Sequence, residues 1–252
     1  MLALFAFKLP KTGMISRSLG SEFGFYTTFS ESFFPTNGQA SDYLYCAALA
    51  MKTEQTELQQ AGEKLISQMR RFATVSPEKE QQMLRYFDLV TYPKRSMLLE
   101  PGALSKHEYY VVKGCLRLYL ADPKGNEHTL TLCVEDWWSG DLGSWTRARP
   151  ATYTIQALEE TTVFQITREN FERMLRELPE LEKWFRLGFQ NAVVSLHDRT
   201  ISHISATAEQ RYLEFAEKYP SILQRVPQKH IASYLGITPE FLSMLRKKIV
   251  TS

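Results

Sequence analysis

The chain has 252 residues, with 30 Lys and Arg against 28 Asp and Glu, for a formal net charge of +2. A 44% hydrophobic and 23% charged composition excludes collagen-like, mostly disordered and disulfide-scaffold classes. The near-balance excludes a uniformly basic nucleic-acid binder, though not a small basic domain beside a neutral one.

The length suits one or two domains with a real core. Cys46, Cys115 and Cys133 show no CxxC spacing, which argues against a disulfide framework and a zinc site. They read as buried or incidental thiols in a reducing compartment, so the expected location is cytoplasmic. No run approaches the roughly 18 apolar residues of a membrane span, and no membrane partner is expected.

Residues 1–50 hold six charged side chains and ten of the 31 aromatics. They show no sustained period of 3.6 or 2. Met51-Lys52-Thr53-Glu54 then reads like an ordinary protein start. The expectation is an atypical or disordered extension over 1–50, lying upstream of a true start at Met51.

From Thr56 to Phe72 the apolar spacing predicts a helix. Ser76 as N-cap and Pro77 at the first helical position open a second, with Met83, Leu84 and Phe87 inward. Between Val90 and Ile166 come short runs rich in Val, Leu, Thr and Tyr. After Gly114, Leu116, Leu118 and Leu120 alternate. Asp122-Pro123-Lys124-Gly125-Asn126 is a hairpin turn, with Thr129 to Cys133 as the returning strand. Tyr153–Ala157 and Thr161–Ile166 give two more strands. Such spacing predicts a small β-barrel or sandwich of about 75 residues. Trp137 and Trp138 suggest an interior filled by side chains.

After Thr167 the period is helical. Arg168–Leu178 forms one helix, and Pro179 opens a longer one. Leu181, Trp184, Phe185, Gly188, Ala192 and Leu196 lie along one stripe. Two readings stand: the stripe packs on its own barrel, or it pairs two subunits. Glu209–Tyr219 is a further helix. Gln228–Leu235 follows, with Ile231, Ala232 and Leu235 inward. Gly236-Ile237-Thr238 then makes a tight turn, and Thr238 caps a last helix begun by Pro239. This is the layout of a helix-turn-helix. From Pro220 to Ser252 five basic residues (Arg225, Lys229, Arg246, Lys247, Lys248) meet one acid, Glu240. That balance favours phosphate contact.

The order of barrel, long helix and C-terminal helix-turn-helix resembles the Crp/Fnr superfamily of transcription regulators. Val111-Val112-Lys113-Gly114 is similar to the barrel's glycine-marked hairpin. Gly140-Asp141-Leu142-Gly143 resembles the Gly-Glu-Leu-Gly of the cyclic-nucleotide cassette. Arg225-Val226-Pro227-Gln228 and Ile231 to Glu240 resemble the helix-turn-helix of the branch common in Bacteroidetes. The resemblance covers about 55–252. It implies an α+β fold: N-terminal helices, a small antiparallel jelly roll (55–178 with its flanking helices), a long dimerisation helix (179–204) and a helix-turn-helix domain (205–252). It also implies a homodimer, double-stranded DNA as partner, RNA polymerase as a further one, an unidentified small-molecule effector, and no catalysis.

The departures bear on ligand. In cyclic-nucleotide-binding members a Glu takes the ribose hydroxyl and an Arg-Ser pair grips the cyclic phosphate. Here Asp141 is one carbon shorter, and the pair falls on Ala151-Thr152. Arg gives phosphate bidentate contacts that Ala cannot replace. Tight cAMP binding is therefore not expected, although Gly140, Asp141, Leu142 and Thr152 are the candidate ligand residues. Arg147 and Arg149 stand nearby, and two readings are open: they reach into the pocket, or they are solvated loop residues. No metal or other cofactor is expected: an iron–sulfur cluster needs about four cysteines, and His107 and His128 lack the HxH pair of a cupin-like enzyme.

On the DNA side the resemblance places Glu240 and Ser243 at base edges, with Thr238 before them. Arg246 and Lys247 serve phosphates or bases. Gln228 and Lys229 clamp the backbone at the start of the first helix. An Arg often follows that Ser in this branch; here it is Met244. The competing functions are a cupin-like β-barrel enzyme and a cyclic-nucleotide-responsive interaction module without DNA binding.

Overall fold

In the computed structural model, residues 40–250 are described, with side-chain surroundings from 55 to 248. The expected extension over 1–50 lies largely outside the described residues. Helix α1 (Ala40–Arg70) runs through position 51 without a break. Its inner face carries Ala61, Leu65, Ile66 and Met69, all buried, at the helical spacing that makes one apolar stripe. Helix α2 (Pro77–Leu84) follows, with Ser76 at its N-cap. Pro77 supplies the start, because the Ser76 hydroxyl makes no capping bond.

Eight strands come next: β1 (Asp88–Tyr92), β2 (Met97–Leu99), β3 (His107–Lys113), β4 (Leu116–Ala121), β5 (Glu127–Cys133), β6 (Trp138–Ser139), β7 (Thr154–Ala157) and β8 (Thr161–Thr167). They form two antiparallel four-stranded sheets, ordered β1-β8-β3-β6 and β2-β7-β4-β5. Between the sheets lie Val90, Tyr92, Leu99, Tyr109, Val111, Leu116, Ile155 and Val163. This is the jelly-roll-like architecture expected.

Strands β3 and β4 are not a hairpin. Each pairs in a different sheet, and Gly114 turns the corner between them at φ +107°. A Cβ there would sit 2.5 Å from Thr161 Oγ1 and 2.7 Å from the Glu160 carbonyl, so only glycine fits. The hairpin at Asp122–Asn126 does form, closed by the Asp122 amide donating to the Asn126 carbonyl at 2.9 Å.

Strand β3 is buried on both faces. Tyr109 and Val111 enter the inter-sheet core, while Tyr110 and Val112 meet α1, α2 and two later helices. Those are α4 (Arg168–Glu177), capped by Thr167, and α5 (Glu182–Ser205), entered by a 3-10 turn at Pro179–Leu181. The tryptophans split: Trp137 packs against the inter-sheet core as expected, while Trp138 does not fill the barrel. Trp138 faces the helices and packs against Phe87, Tyr110, Trp184 and Phe185. Trp137 packs its ring on Tyr219. A strand with helices on its outer face has two apolar sides, and the Trp138 ring takes the outer one.

The stripe on α5 divides. Leu181, Trp184 and Phe185 are buried on their own barrel. Phe189, Val193, Val194, Leu196, Ile201 and Ile204 are exposed, and nothing lies within 4 Å of where a Cβ on Gly188 would stand. Four helices close the chain: α6 (Ala208–Lys218), α7 (Pro220–Arg225), α8 (Gln228–Leu235) and α9 (Pro239–Val250). Among the described residues no helix is long and apolar enough to cross a membrane.

Candidate ligand cassette and nucleic-acid interface

The cassette sits where β6 runs into the short helix α3 (Leu142–Arg147). Asp141 is buried and caps α3: Oδ1 accepts from the Ser144 amide at 2.9 Å, and Oδ2 from the Thr152 amide at 3.3 Å. The Ser144 hydroxyl donates to the Arg149 carbonyl at 2.6 Å and accepts from the Ser105 amide at 2.9 Å. Ala151 pairs its backbone with Gly102 and Ala103, both at 2.8 Å. Asp141, Ser144 and the Ala151 backbone are thus hydrogen-bonded within the loop, while Trp145 Nε1 is buried without a partner among the described residues. Leu142 and Thr152 are exposed.

Arg147 is exposed. Arg149 is exposed too, but its guanidinium lies over the helix start: Nη2 is 2.6 Å from where a Cβ on Gly143 would stand. Gly140 has a different neighbour. The Glu108 carboxylate oxygens lie 2.1 and 2.2 Å from the point a Cβ on Gly140 would occupy. Glu108 is buried, and its Oε1 has no hydrogen-bond partner among the described residues. Burial, and then the Asp141 charge, push its pKa up to about 8. The sequence reading started this strand at Tyr109 and missed Glu108. Extending the alternation one residue back would have placed it with Tyr110 and Val112.

In the C-terminal region the helix-turn-helix forms as read. Helix α8 buries Ile231, Ala232 and Leu235. Gly236 closes it in the left-handed conformation (φ +68°), with the Ile237 amide donating to the Ala232 carbonyl at 3.0 Å. That is the C-terminal glycine cap of a helix. A Cβ at 236 would also press on the His203 ring at 3.3 Å. Thr238 opens α9, its hydroxyl accepting from the Phe241 amide at 3.2 Å. Leu242 and Leu245 are buried, one turn apart.

Among the expected DNA contacts, Glu240, Ser243 and Lys247 are exposed on α9, and Arg246 is half-buried. Gln228 and Lys229 are exposed on the first turn of α8, a separate element. The Thr238 hydroxyl is engaged as a cap. Arg225 does not add to a free basic surface. It donates to Glu135 at 2.7 and 2.9 Å and to Glu159 at 3.1 Å.

The two regions meet along the free edge of β5, a contact the sequence reading did not foresee. The Thr129 amide donates to Ser233 Oγ at 2.8 Å, and that hydroxyl donates to the Glu127 carbonyl at 2.7 Å. Arg199 of α5 donates to the carbonyls of Leu130, Thr129 (3.2 Å) and Tyr234 (3.0 Å) and stacks on the Tyr234 ring at 4.1 Å. Beneath α8, Arg117 is 1% exposed. It donates to Thr129 Oγ1 at 2.9 Å and Glu127 at 2.6 Å. Burial, then the charges of Arg117 and Lys229, hold the His230 pKa down to about 4. An edge strand with open backbone groups needs a cover, and the C-terminal domain supplies it here.

Fold and site together define a jelly-roll domain carrying a C-terminal helix-turn-helix. Comparison with known proteins agrees: residues 89–177 match the cyclic nucleotide-binding domain family. The cyclic AMP receptor protein of Thermus thermophilus is 27% identical over 108 residues, 43% of this chain and 50% of that protein. The cAMP-activated global transcriptional regulator CRP of Salmonella typhimurium is 24% identical over 90 residues, 36% of this chain and 43% of that protein. The chain spans about half the length of these curated relatives. The solved c-di-GMP-responsive regulator CLP of Xanthomonas campestris shares the fold with TM-score 0.58 at 13% identity, over 70% of this chain and 92% of that one.

Proposed function

We propose that this chain is a dimeric, sequence-specific double-stranded-DNA-binding transcription regulator, with α9 as its reading helix and α5 as its pairing helix. The observation that carries the reading is the α8–Gly236–α9 unit. Its buried face holds Leu235, Leu242 and Leu245, and its outer face exposes Glu240, Ser243 and Lys247. A helix presented this way enters the major groove with its first turns at base edges. Glu240 accepts from cytosine N4, Arg246 and Lys247 meet phosphates, and the exposed starts of α8, Gln228 and Lys229, rest on the backbone. The apolar run Phe189–Ile204 on α5 matches a second copy of itself, since two-fold pairs use the same patch twice. Selection from a random-sequence duplex pool tests the reading; recovery of no enriched duplex would overturn it.

For the cassette we infer an effector other than tightly bound cAMP. Asp141 uses both oxygens on its own loop, and Ala151 stands at the arginine position of the phosphate grip. Calorimetric titration with cAMP and cGMP is expected to give no micromolar binding. RNA polymerase contact is part of the same proposal and would be read by transcription in vitro.

A further inference from the structure

We infer that Phe241 and Met244 read thymine C5-methyl groups, so that each half-site carries thymine next to the base that Glu240 reads. The inference rests on the reading of α9 as the groove-entering helix. Phe241 is 39% exposed and Met244 54% exposed. They stand three residues apart on α9, so their side chains are neighbours on its surface. Neither is packed inward, because Leu242 and Leu245 fill the face toward α8. Had position 244 turned apolar for packing, its side chain would be buried like those two.

The surroundings say what covers this pair. The helix continues into Arg246 and Lys247, which favour a polyanion, while Lys248 pairs with Glu209 at 2.9 Å. Glu240 and Ser243, exposed within the same two turns, demand a surface with directed hydrogen-bond donors and acceptors. An anionic lipid surface would be repelled by Glu240 and offers no such pattern. The major groove offers all three features: phosphates along its walls, donors and acceptors on the base edges, and one apolar group, the thymine methyl. Early residues of the reading helix are the ones that touch base edges. Phe241 and Met244 lie in the first two turns after Pro239. Phenylalanine gives a rigid flat contact, and methionine an adaptable one.

The experiment uses the full chain and the duplex recovered by random-sequence selection. Each thymidine of the half-site is replaced in turn by deoxyuridine, which removes the methyl and keeps the pairing. Burial of one methyl-sized group corresponds to about fourfold in affinity, so the chain is expected to lose about fourfold at one or two positions. M244A is expected to bind with the deoxyuridine penalty gone at one of them, and its circular dichroism spectrum shows whether the head remains folded. F241L serves at the other position, keeping the bulk that an alanine would remove. No penalty for the unmodified chain, or a full penalty retained in M244A, overturns the inference while leaving DNA binding intact. A change of sedimentation mass in M244A assigns the patch to a second copy and also overturns it. Failure to recover any duplex overturns both this inference and the function beneath it.

Discussion

At the cassette, Asp141 turns both carboxylate oxygens onto its own loop and Glu108 is sealed beneath Gly140. Along α9, Glu240, Phe241, Ser243 and Met244 all face outward. The two regions carry a similar number of polar side chains and treat them oppositely. Asp141 and Ser144 close their hydrogen bonds within the cassette, so a ligand that engages them must break existing bonds. The head holds its contacts open on a rigid apolar base, so a ligand there costs little reorganisation. The contrast is between polar groups turned inward onto the fold and polar groups left exposed on a helix.

The largest expected effect breaks the closed region. Phe164 is fully buried, and its ring packs edge-on against Phe87 with centroids 6.0 Å apart. F164A is expected to destabilise the fold by about 3–5 kcal/mol, read as a fall in urea midpoint. DNA affinity per folded molecule should be retained. A loss below 1 kcal/mol would mean the sheet–helix layer is less tightly packed than the ring contacts indicate.

Next comes the glycine over Glu108. G140A puts a methyl into the Glu108 carboxylate and should cost about 1–3 kcal/mol, the usual range for overpacking. The double variant G140A/E108A should recover most of that loss, because the obstructing group is gone. Additive losses would show that Gly140 is there for backbone reasons instead.

The open region should respond in the opposite sense. R246A/K247A is expected to leave thermal stability within about 0.5 kcal/mol, as surface changes do. If both contact phosphates, the double variant should lower the slope of log affinity against log salt by about 1.8. Gel-shift titration at three salt concentrations reads it. An unchanged slope would mean the groove is entered from another face.

How much of this was legible beforehand follows the physics of each element. The helix-turn-helix is local: Gly236, Thr238 and Pro239 are turn and cap residues whose conformational demands are written in the sequence itself. The strands after Gly114 were legible for the same reason, through alternation. What was not legible depends on partners distant in the chain. Gly114 was read as a hairpin glycine because nothing near it says that β4 joins β7 and β5 instead of β3. Trp138 was read as barrel filling because its true neighbours, Trp184 and Phe185, come 46 and 47 positions later. Arg117 and Arg225 look like surface charges until the C-terminal domain covers one and Glu135 and Glu159 pair with the other. The α5 stripe held two readings: the structure packs Leu181, Trp184 and Phe185 on their own barrel and leaves the apolar residues from Phe189 onward exposed.

The smallest expected effect sharpens the comparison through pH. His230 lies where the head meets β5, with its pKa held near 4 first by burial and then by Arg117 and Lys229. The unfolded chain takes up that proton at about 6.5 while the folded chain refuses it. Stability is therefore expected to fall as pH drops from about 6.5 toward 4. Glu108 acts with the opposite sign. Its folded pKa of about 8 lies above the ordinary value of 4.5, so the folded chain keeps a proton the unfolded one releases. Its contribution is fully present below about 4.5 and is lost as pH rises through about 8. Between about 4.5 and 6.5 the two slopes oppose each other, so melting temperature measured from pH 4 to 9 should be flat there and fall on either side. E108Q should flatten the alkaline limb and leave the acid one, and H230Q should do the reverse. If E108Q keeps its alkaline slope, another buried group sets it. If H230Q keeps the acid slope, another group sets it, and the contact along β5 is held by Ser233 and Arg199 without help from the imidazole.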